Sequence, residues 1–173
     1  MRFSFVLLCI LTAGSISFGQ YEFPQTWVGD WKGELLWYKG NKKEPQKVTM
    51  ELRIHPSDSA GQYSWQIIYG AVTTDNRPYT LMIKDTSKGH WVIDEHNGIL
   101  LDQFRVGNKL CGAFTVGAST IVNNYWLEDG KLMAEFYSFS AKPIAATGNG
   151  TDESPTVDTY KVNSYQKAVL LRQ

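Results

Sequence analysis

The sequence predicts an all-β protein, a single antiparallel up-and-down β-barrel of about 8–10 strands. Apolar and polar residues alternate with a period of two in most segments between residues 27 and 171. Short turns rich in Gly, Asn, Asp and Pro separate those segments, and no apolar stripe with a helical period is long enough for a helix. Closure removes the exposed edges of so long a meander. A two-sheet sandwich is the competing architecture, disfavoured because long crossing connections are scarce.

Residues 27–38 form the predicted first strand and hold three of the six tryptophans. Glycine occurs twice there beside bulky rings, which indicates backbone lying close to an indole or bending sharply. Residues 47–55 form the next strand, with an apolar face directed inward: Val48, Met50, Leu52 and Ile54. The opposite face is predicted to point outward: Thr49, Glu51 and Arg53.

The remaining predicted strands are 63–69, 79–84, 90–94, 99–106, 109–116, 120–127, 131–139, 157–162 and 165–171. Asn97-Gly98 is a strong hairpin signal between two of them. The segment 140–156 lacks periodicity, is rich in small residues, and is longer than most connections in a compact domain. We therefore expect a mobile flap or a functional loop there.

The first residues have the layout of a secretory signal: a basic start, a short apolar run and then small residues. We expect a signal peptide at 1–19, cleavage after Gly19, and one barrel domain at 20–173. The predicted location is therefore the periplasm or the extracellular medium. Removing the signal leaves Cys111 without an intrachain disulfide partner.

The formal net charge is zero, with 17 basic and 17 acidic residues that do not cluster by sign. This argues against nucleic acid or an anionic membrane surface as the main partner, because both need a basic footprint. No later segment approaches the ~20 apolar residues of a spanning helix, so no integral membrane contact is expected. The sequence leaves the oligomeric state open.

His90, Asp94 and His96 share one face of a predicted strand and offer metal-ligand chemistry. Because that face is opposite to Trp91, we favour a solvent-exposed face over a metal site. Ser57 and Ser59 lie in a turn without the context of a catalytic nucleophile, and no phosphate loop is present. No catalytic residue, metal or cofactor is predicted.

Aromatic residues at inward positions are the candidate ligand-binding residues. Two interpretations stay open: the rings fill the barrel as a solid plug, or they line a cavity whose polar ring atoms suit an amphipathic ligand. The candidates are Trp37, Tyr63, Trp65, Tyr69, Tyr79, Trp91, Tyr125 and Phe136.

The motif Gly29-Asp30-Trp31 resembles the Gly-x-Trp signature on the first strand of lipocalins and other calycins, which include avidins and fatty-acid-binding proteins. In that family a basic residue on the last strand packs across the tryptophan, and Arg172 is the matching position. The resemblance implies a calycin-like barrel in which Gly29, Trp31 and Arg172 are structural, in an exported protein of bacterial type. The opening is also similar to nitrobindin-type haem barrels. Those use a histidine near the C-terminal end, and none follows His96.

The resemblance and the inward aromatics together imply a lipocalin-like protein that binds a small apolar or amphipathic molecule inside its barrel. Two alternatives remain. One is a lyase or isomerase with an acid or base at the barrel mouth. The other is an interaction module whose outward aromatics bind glycan or protein.

Overall fold

The computed structural model describes residues 23–173. Within this range the chain forms twelve strands and two short 3₁₀ helices, Gln25–Trp27 and Thr86–Lys88. The strands are β1 (Gly29–Lys39), β2 (Gln46–Ile54), β3 (Gln62–Tyr69), β4 (Asn76–Asp85), β5 (His90–Asp94), β6 (Leu100–Val106), β7 (Lys109–Val116), β8 (Ser119–Glu128), β9 (Lys131–Ser140), β10 (Ala145–Thr147), β11 (Val157–Thr159) and β12 (Val162–Arg172).

Ten of these strands form a closed antiparallel barrel. Strands β1 to β9 each pair with their neighbour in the chain, and β12 pairs with both β9 and β1 to close the ring. The predicted up-and-down barrel is therefore confirmed and the sandwich is excluded. The predicted signal peptide and its cleavage site lie outside the described residues.

The connection between β9 and β12 contains structure that the sequence did not predict. Strand β10 pairs with β11 in a separate two-stranded sheet, with Ala145 opposite Thr159. The sequence predicted no strand within 140–156, and this is wrong at β10, because its three exposed residues show no alternation to detect. The predicted strand 157–162 also divides, since β11 ends at Thr159 and β12 begins at Val162 with an irregular register. The predicted mobility of this segment stays a prediction.

The second strand faces as predicted. Met50, Leu52 and Ile54 are fully buried and Val48 packs against the same core. Glu51, on the outer face, is held between two cations, with Lys32 at 2.8 Å and Arg53 at 2.7 Å.

One end of the barrel, here called the closed end, is filled by aromatic rings. Phe23 stands edge-on to Trp27 at 4.7 Å and to Trp91 at 4.8 Å between ring centroids. Trp27 in turn lies 6.4 Å from Trp65. Trp27 was assigned to the first strand, but it belongs to the 3₁₀ helix that covers this end.

Arg172 lies across the indole of Trp31, as the resemblance to calycins implies, with Cζ 4.2 Å from the ring centroid. Its guanidinium donates hydrogen bonds to the carbonyl oxygens of Thr26, at 3.0 Å, and Val28. Gly29 has φ +138°, and a β-carbon there would meet the guanidinium at 2.6 Å. The last barrel strand is thereby tied to the segment that covers the closed end.

Among residues 23–173, no helix has the length and apolar character needed to cross a membrane.

A candidate ligand cavity at the open end

A cavity of about 290 Å³ occupies the other end of the barrel, here called the open end. All ten barrel strands contribute to its wall. Its apolar side chains come from the middle of the barrel, such as Leu35, Ile67 and Ile93, and its charged residues include Asp75, in the turn before β4. The cavity therefore has apolar walls and a polar rim, the usual composition of a small-molecule site.

Five of the eight predicted aromatics line this cavity: Trp37, Tyr69, Tyr79, Tyr125 and Phe136. The other three, Tyr63, Trp65 and Trp91, are absent from its wall. They occupy inward positions near the starts of β3 and β5, at the closed end, where Trp91 packs against Phe23. The barrel interior is thus packed solid at one end and forms a pocket at the other. The sequence did not separate the two groups of aromatics, because alternation shows which face of a strand a residue lies on but not its depth in the barrel.

Two buried amides meet in the cavity wall. Asn123 on β8 donates a 2.7 Å hydrogen bond to the side-chain oxygen of Gln103 on β6, across the intervening strand β7. The residue between them on β7 is Gly112, where a β-carbon would lie 2.2 Å from the Gln103 amide nitrogen. Gln103 is 0% exposed and Asn123 is 4% exposed. The pair keeps two polar groups satisfied inside an otherwise apolar interior.

An ion pair marks the rim of the cavity. Arg77 binds Asp75 through two parallel hydrogen bonds of 2.8 and 2.9 Å, and its Cζ lies 4.9 Å from the Tyr69 ring centroid. The bonded guanidinium lowers the pKa of Asp75 below its ordinary value. The sequence did not predict this pair, because both residues fall between the predicted strands 63–69 and 79–84, whereas β4 already begins at Asn76.

The tyrosines of the cavity keep their protons. Burial raises the pKa of Tyr69 to about 12 and that of Tyr125 well above 10. Burial and the charge of Glu95 raise the pKa of Tyr79. At neutral pH these hydroxyls are hydrogen-bonding groups, and their pKa values lie away from the range that suits a general base.

Trp37 contributes a buried donor to the wall. Among the described residues no acceptor lies within hydrogen-bond distance of its indole Nε1. A buried N–H left in this state costs about 1–3 kcal/mol. The Lys39 ammonium lies 3.3 Å from the centroid of the same ring.

The histidines considered as metal ligands make other contacts. His90 Nε2 lies 2.6 Å from an oxygen of Asp102, and His96 Nε2 lies 3.0 Å from the Thr80 hydroxyl. Asp94 accepts a hydrogen bond from the backbone N–H of His96. Within residues 23–173, no cluster of three or more His, Cys, Asp or Glu side chains is arranged to hold a metal ion.

The turn that contains Ser57 and Ser59 is held by its own bonds. The Ser57 hydroxyl donates a hydrogen bond to the carbonyl oxygen of Ser59. The imidazole of His55 bonds to the carboxylate of Asp30, with Nε2 and Oδ1 2.8 Å apart, and not to either serine. This geometry does not assemble a serine nucleophile with its base.

Outside the barrel, four other aromatic rings form a row across β1, β12 and β9. Tyr38 stacks on Tyr165 at 5.9 Å between ring centroids, and Tyr137 stacks on Phe139 at 6.2 Å. Tyr165 and Tyr137 lie 4.8 Å apart with their rings tilted by 33°. None of the eight predicted aromatics belongs to this row. Each ring uses at least one face on a neighbouring ring.

No family model and no curated protein matches the chain. Among solved structures it is similar to the crystal structure of a protein of unknown function from the DUF3598 family of Nostoc punctiforme, with a TM-score of 0.61 and 13% sequence identity. The match covers 86% of this chain and 48% of that one, so this chain spans about half the length of its structural neighbour. At this identity the likeness shows a shared fold, that of an antiparallel β-barrel.

Proposed function

We propose that this protein is an exported, lipocalin-like binding protein that holds a small amphipathic molecule inside its barrel. The observation that carries the proposal is the cavity of about 290 Å³ at one end of a barrel whose other end is packed solid. The predicted signal peptide supports export. The raised pKa values of the cavity tyrosines favour binding over acid–base catalysis.

The size of the cavity limits the ligand. An apolar cavity of about 150 Å³ holds one benzene molecule. A volume of about 290 Å³ therefore suits a body of bicyclic size, with its polar group directed to the rim where Asp75, Arg77 and Glu95 lie.

Binding of 6-propionyl-2-(dimethylamino)naphthalene, a neutral dye of bicyclic size whose fluorescence responds to apolar surroundings, tests the proposal. The wild-type protein is expected to give a saturable fluorescence increase. Ile121→Trp fills the cavity and is expected to weaken binding about tenfold or more. Val122→Trp is the matched control, because its side chain lies on the opposite face of the same strand.

A wild-type protein without saturable binding, or two tryptophan variants with equal dye affinity, would contradict the proposal. Circular dichroism establishes that both variants keep the barrel. Sequencing the N-terminus of protein recovered from the periplasm or the medium tests export, with Gln20 expected as the first residue.

A further inference from the structure

The charged groups of the cavity wall do not balance. Of the described residues, three that line the wall carry charged side chains: Asp75, Arg77 and Glu95. Arg77 is committed to Asp75 by two hydrogen bonds, so these two charges cancel. The carboxylate of Glu95 is left as the unbalanced charge of the wall.

Glu95 has no cationic partner in the described part of the chain. No Lys, Arg or His nitrogen lies within 4.0 Å of its oxygens. Its side chain accepts a 3.3 Å hydrogen bond from the neutral amide of Asn97. Glu95 is only partly exposed, so solvent screens its charge less than that of a surface carboxylate.

Two aromatic rings of the wall already make cation–π contacts with cationic side chains of the protein itself. The guanidinium of Arg77 lies over Tyr69 at 4.9 Å, and the ammonium of Lys39 lies over Trp37 at 3.3 Å from the ring centroid. Ring faces at this end of the barrel thus attract positive charge. Tyr79, next to Glu95 in the wall, adds another ring close to the unbalanced carboxylate.

We infer that the cavity binds a cationic amphiphile: an amine whose ammonium group pairs with Glu95 and whose apolar body lies among the aromatic side chains. The inference rests on the proposed function and adds the charge of the ligand. An anionic head group would meet Glu95, and the two nearby cations are already engaged: Arg77 binds Asp75, and Lys39 lies over the Trp37 ring and donates to Gln46 at 3.3 Å.

Three probes with one naphthalene body separate the alternatives: 2-(aminomethyl)naphthalene, 2-naphthalenemethanol and 2-naphthoate, which are cationic, neutral and anionic near neutral pH. Affinities are measured by calorimetry or by displacement of the dye. We expect the amine to bind about fivefold or more tightly than the alcohol, and the carboxylate to bind most weakly. Raising the salt concentration from about 50 mM to about 500 mM should reduce the preference for the amine.

Glu95→Gln is expected to bring the amine and the alcohol to nearly equal affinity while leaving the affinity for the alcohol unchanged. Glu44→Gln is the matched control, since it removes one carboxylate from an exposed turn at the same end of the barrel. This control should keep the full preference for the amine.

The outcomes distinguish the two proposals. If the alcohol binds and the amine binds no more tightly, the inference is wrong and the binding function stands. A preference for the amine that survives both Glu95→Gln and high salt would also overturn the inference. If none of the three probes binds, both proposals fall. Should Glu95→Gln fail to fold, the salt dependence of the wild-type protein still decides the matter.

Discussion

The two ends of the barrel share the same alternation of inward and outward residues, but one end is packed solid with aromatic rings and the other encloses a cavity. At the closed end four indoles are almost fully buried, with Trp27 at 2%, Trp31 at 1%, Trp65 at 0% and Trp91 at 4% exposure. At the open end, rings in equivalent inward positions surround a cavity. The difference lies in what covers each end. A 3₁₀ helix covers the closed end, whereas loops and the β10–β11 hairpin connect the strands at the open end.

The polar atoms of the two ends divide less sharply than the rings, because Trp65 Nε1 at the closed end also has no acceptor among the described residues. At the closed end the Trp31 indole N–H donates to the Trp27 carbonyl oxygen at 2.8 Å, and Arg172 donates to two further carbonyls. At the open end, within residues 23–173, Trp37 Nε1 has no acceptor and the carboxylate of Glu95 has no cationic partner. The two ends therefore differ most in their charged groups: Arg172 at the closed end is held by an indole and two carbonyl oxygens, whereas Glu95 at the open end has no cation within 4.0 Å among the described residues.

The largest expected difference comes from two glycines, one in each half. A β-carbon at Gly33 would lie 2.0 Å from the backbone carbonyl oxygen of Val169, where β1 meets β12. A β-carbon at Gly112 would meet only the movable amide ends of Gln103 and Asn123. We expect Gly33→Ala to lower the free energy of unfolding by about 3 kcal/mol or more, because backbone must move. Gly112→Ala should cost about 1–2 kcal/mol, the loss of one buried hydrogen bond.

Urea denaturation of both variants measures these costs. Dye binding should change more in Gly112→Ala than in Gly33→Ala, provided that both are folded. Equal losses of stability, or a larger loss at Gly112, would contradict the division between the two ends.

The next effect concerns the closed end alone. Arg172→Lys is expected to lower the free energy of unfolding by about 1–2 kcal/mol, since an ammonium neither stacks on Trp31 nor forks to two carbonyls. Arg53→Lys, on the outer face, is the control and should cost less than about 1 kcal/mol. Ligand affinity should be unaffected by either change. A change in affinity on replacing Arg172 would show that the two ends are coupled.

The smallest expected effect is a pH dependence at the open end. The pKa of Tyr69 is raised from about 10 to about 12, so the folded state holds this proton more tightly than the unfolded state. The corresponding stability is fully present below about pH 10 and is lost as the pH rises towards about 12. Tyr69→Phe should therefore lose less stability than the wild type between about pH 10 and pH 12. Denaturant midpoints measure this, with Tyr160→Phe as the control at an exposed position.

The sequence predicted which way residues point but not how deep they lie. Alternation placed Leu52 inside and gave Arg172 the parity of an inward residue, because a strand has only two faces. It did not separate Trp65 at the closed end from Tyr69 in the cavity wall, since depth depends on strand stagger and on what covers each end.

The polar residues of the cavity wall could not be predicted from the sequence either. Gln103 and Asn123 lie 20 residues apart, and their pairing depends on the strand between them. Gly112 was the one available signal, a residue without a side chain inside a strand. Asp75 and Arg77 look like turn residues until the start of β4 is known.

The pairing of β1 with β12 has a consequence for folding kinetics. Most other neighbours in the barrel are joined by a short turn, whereas Arg172 reaches Thr26 across 146 residues of chain. Contacts between such distant residues form late, because closing the long loop between them lowers the entropy of the chain before the new contacts lower its energy. Until then β1 and β12 are both edge strands with unpaired backbone groups, open to pairing with another copy of the chain. The pairing of β1 with β12 beside Gly33 is therefore the step at which closure of the barrel competes with aggregation.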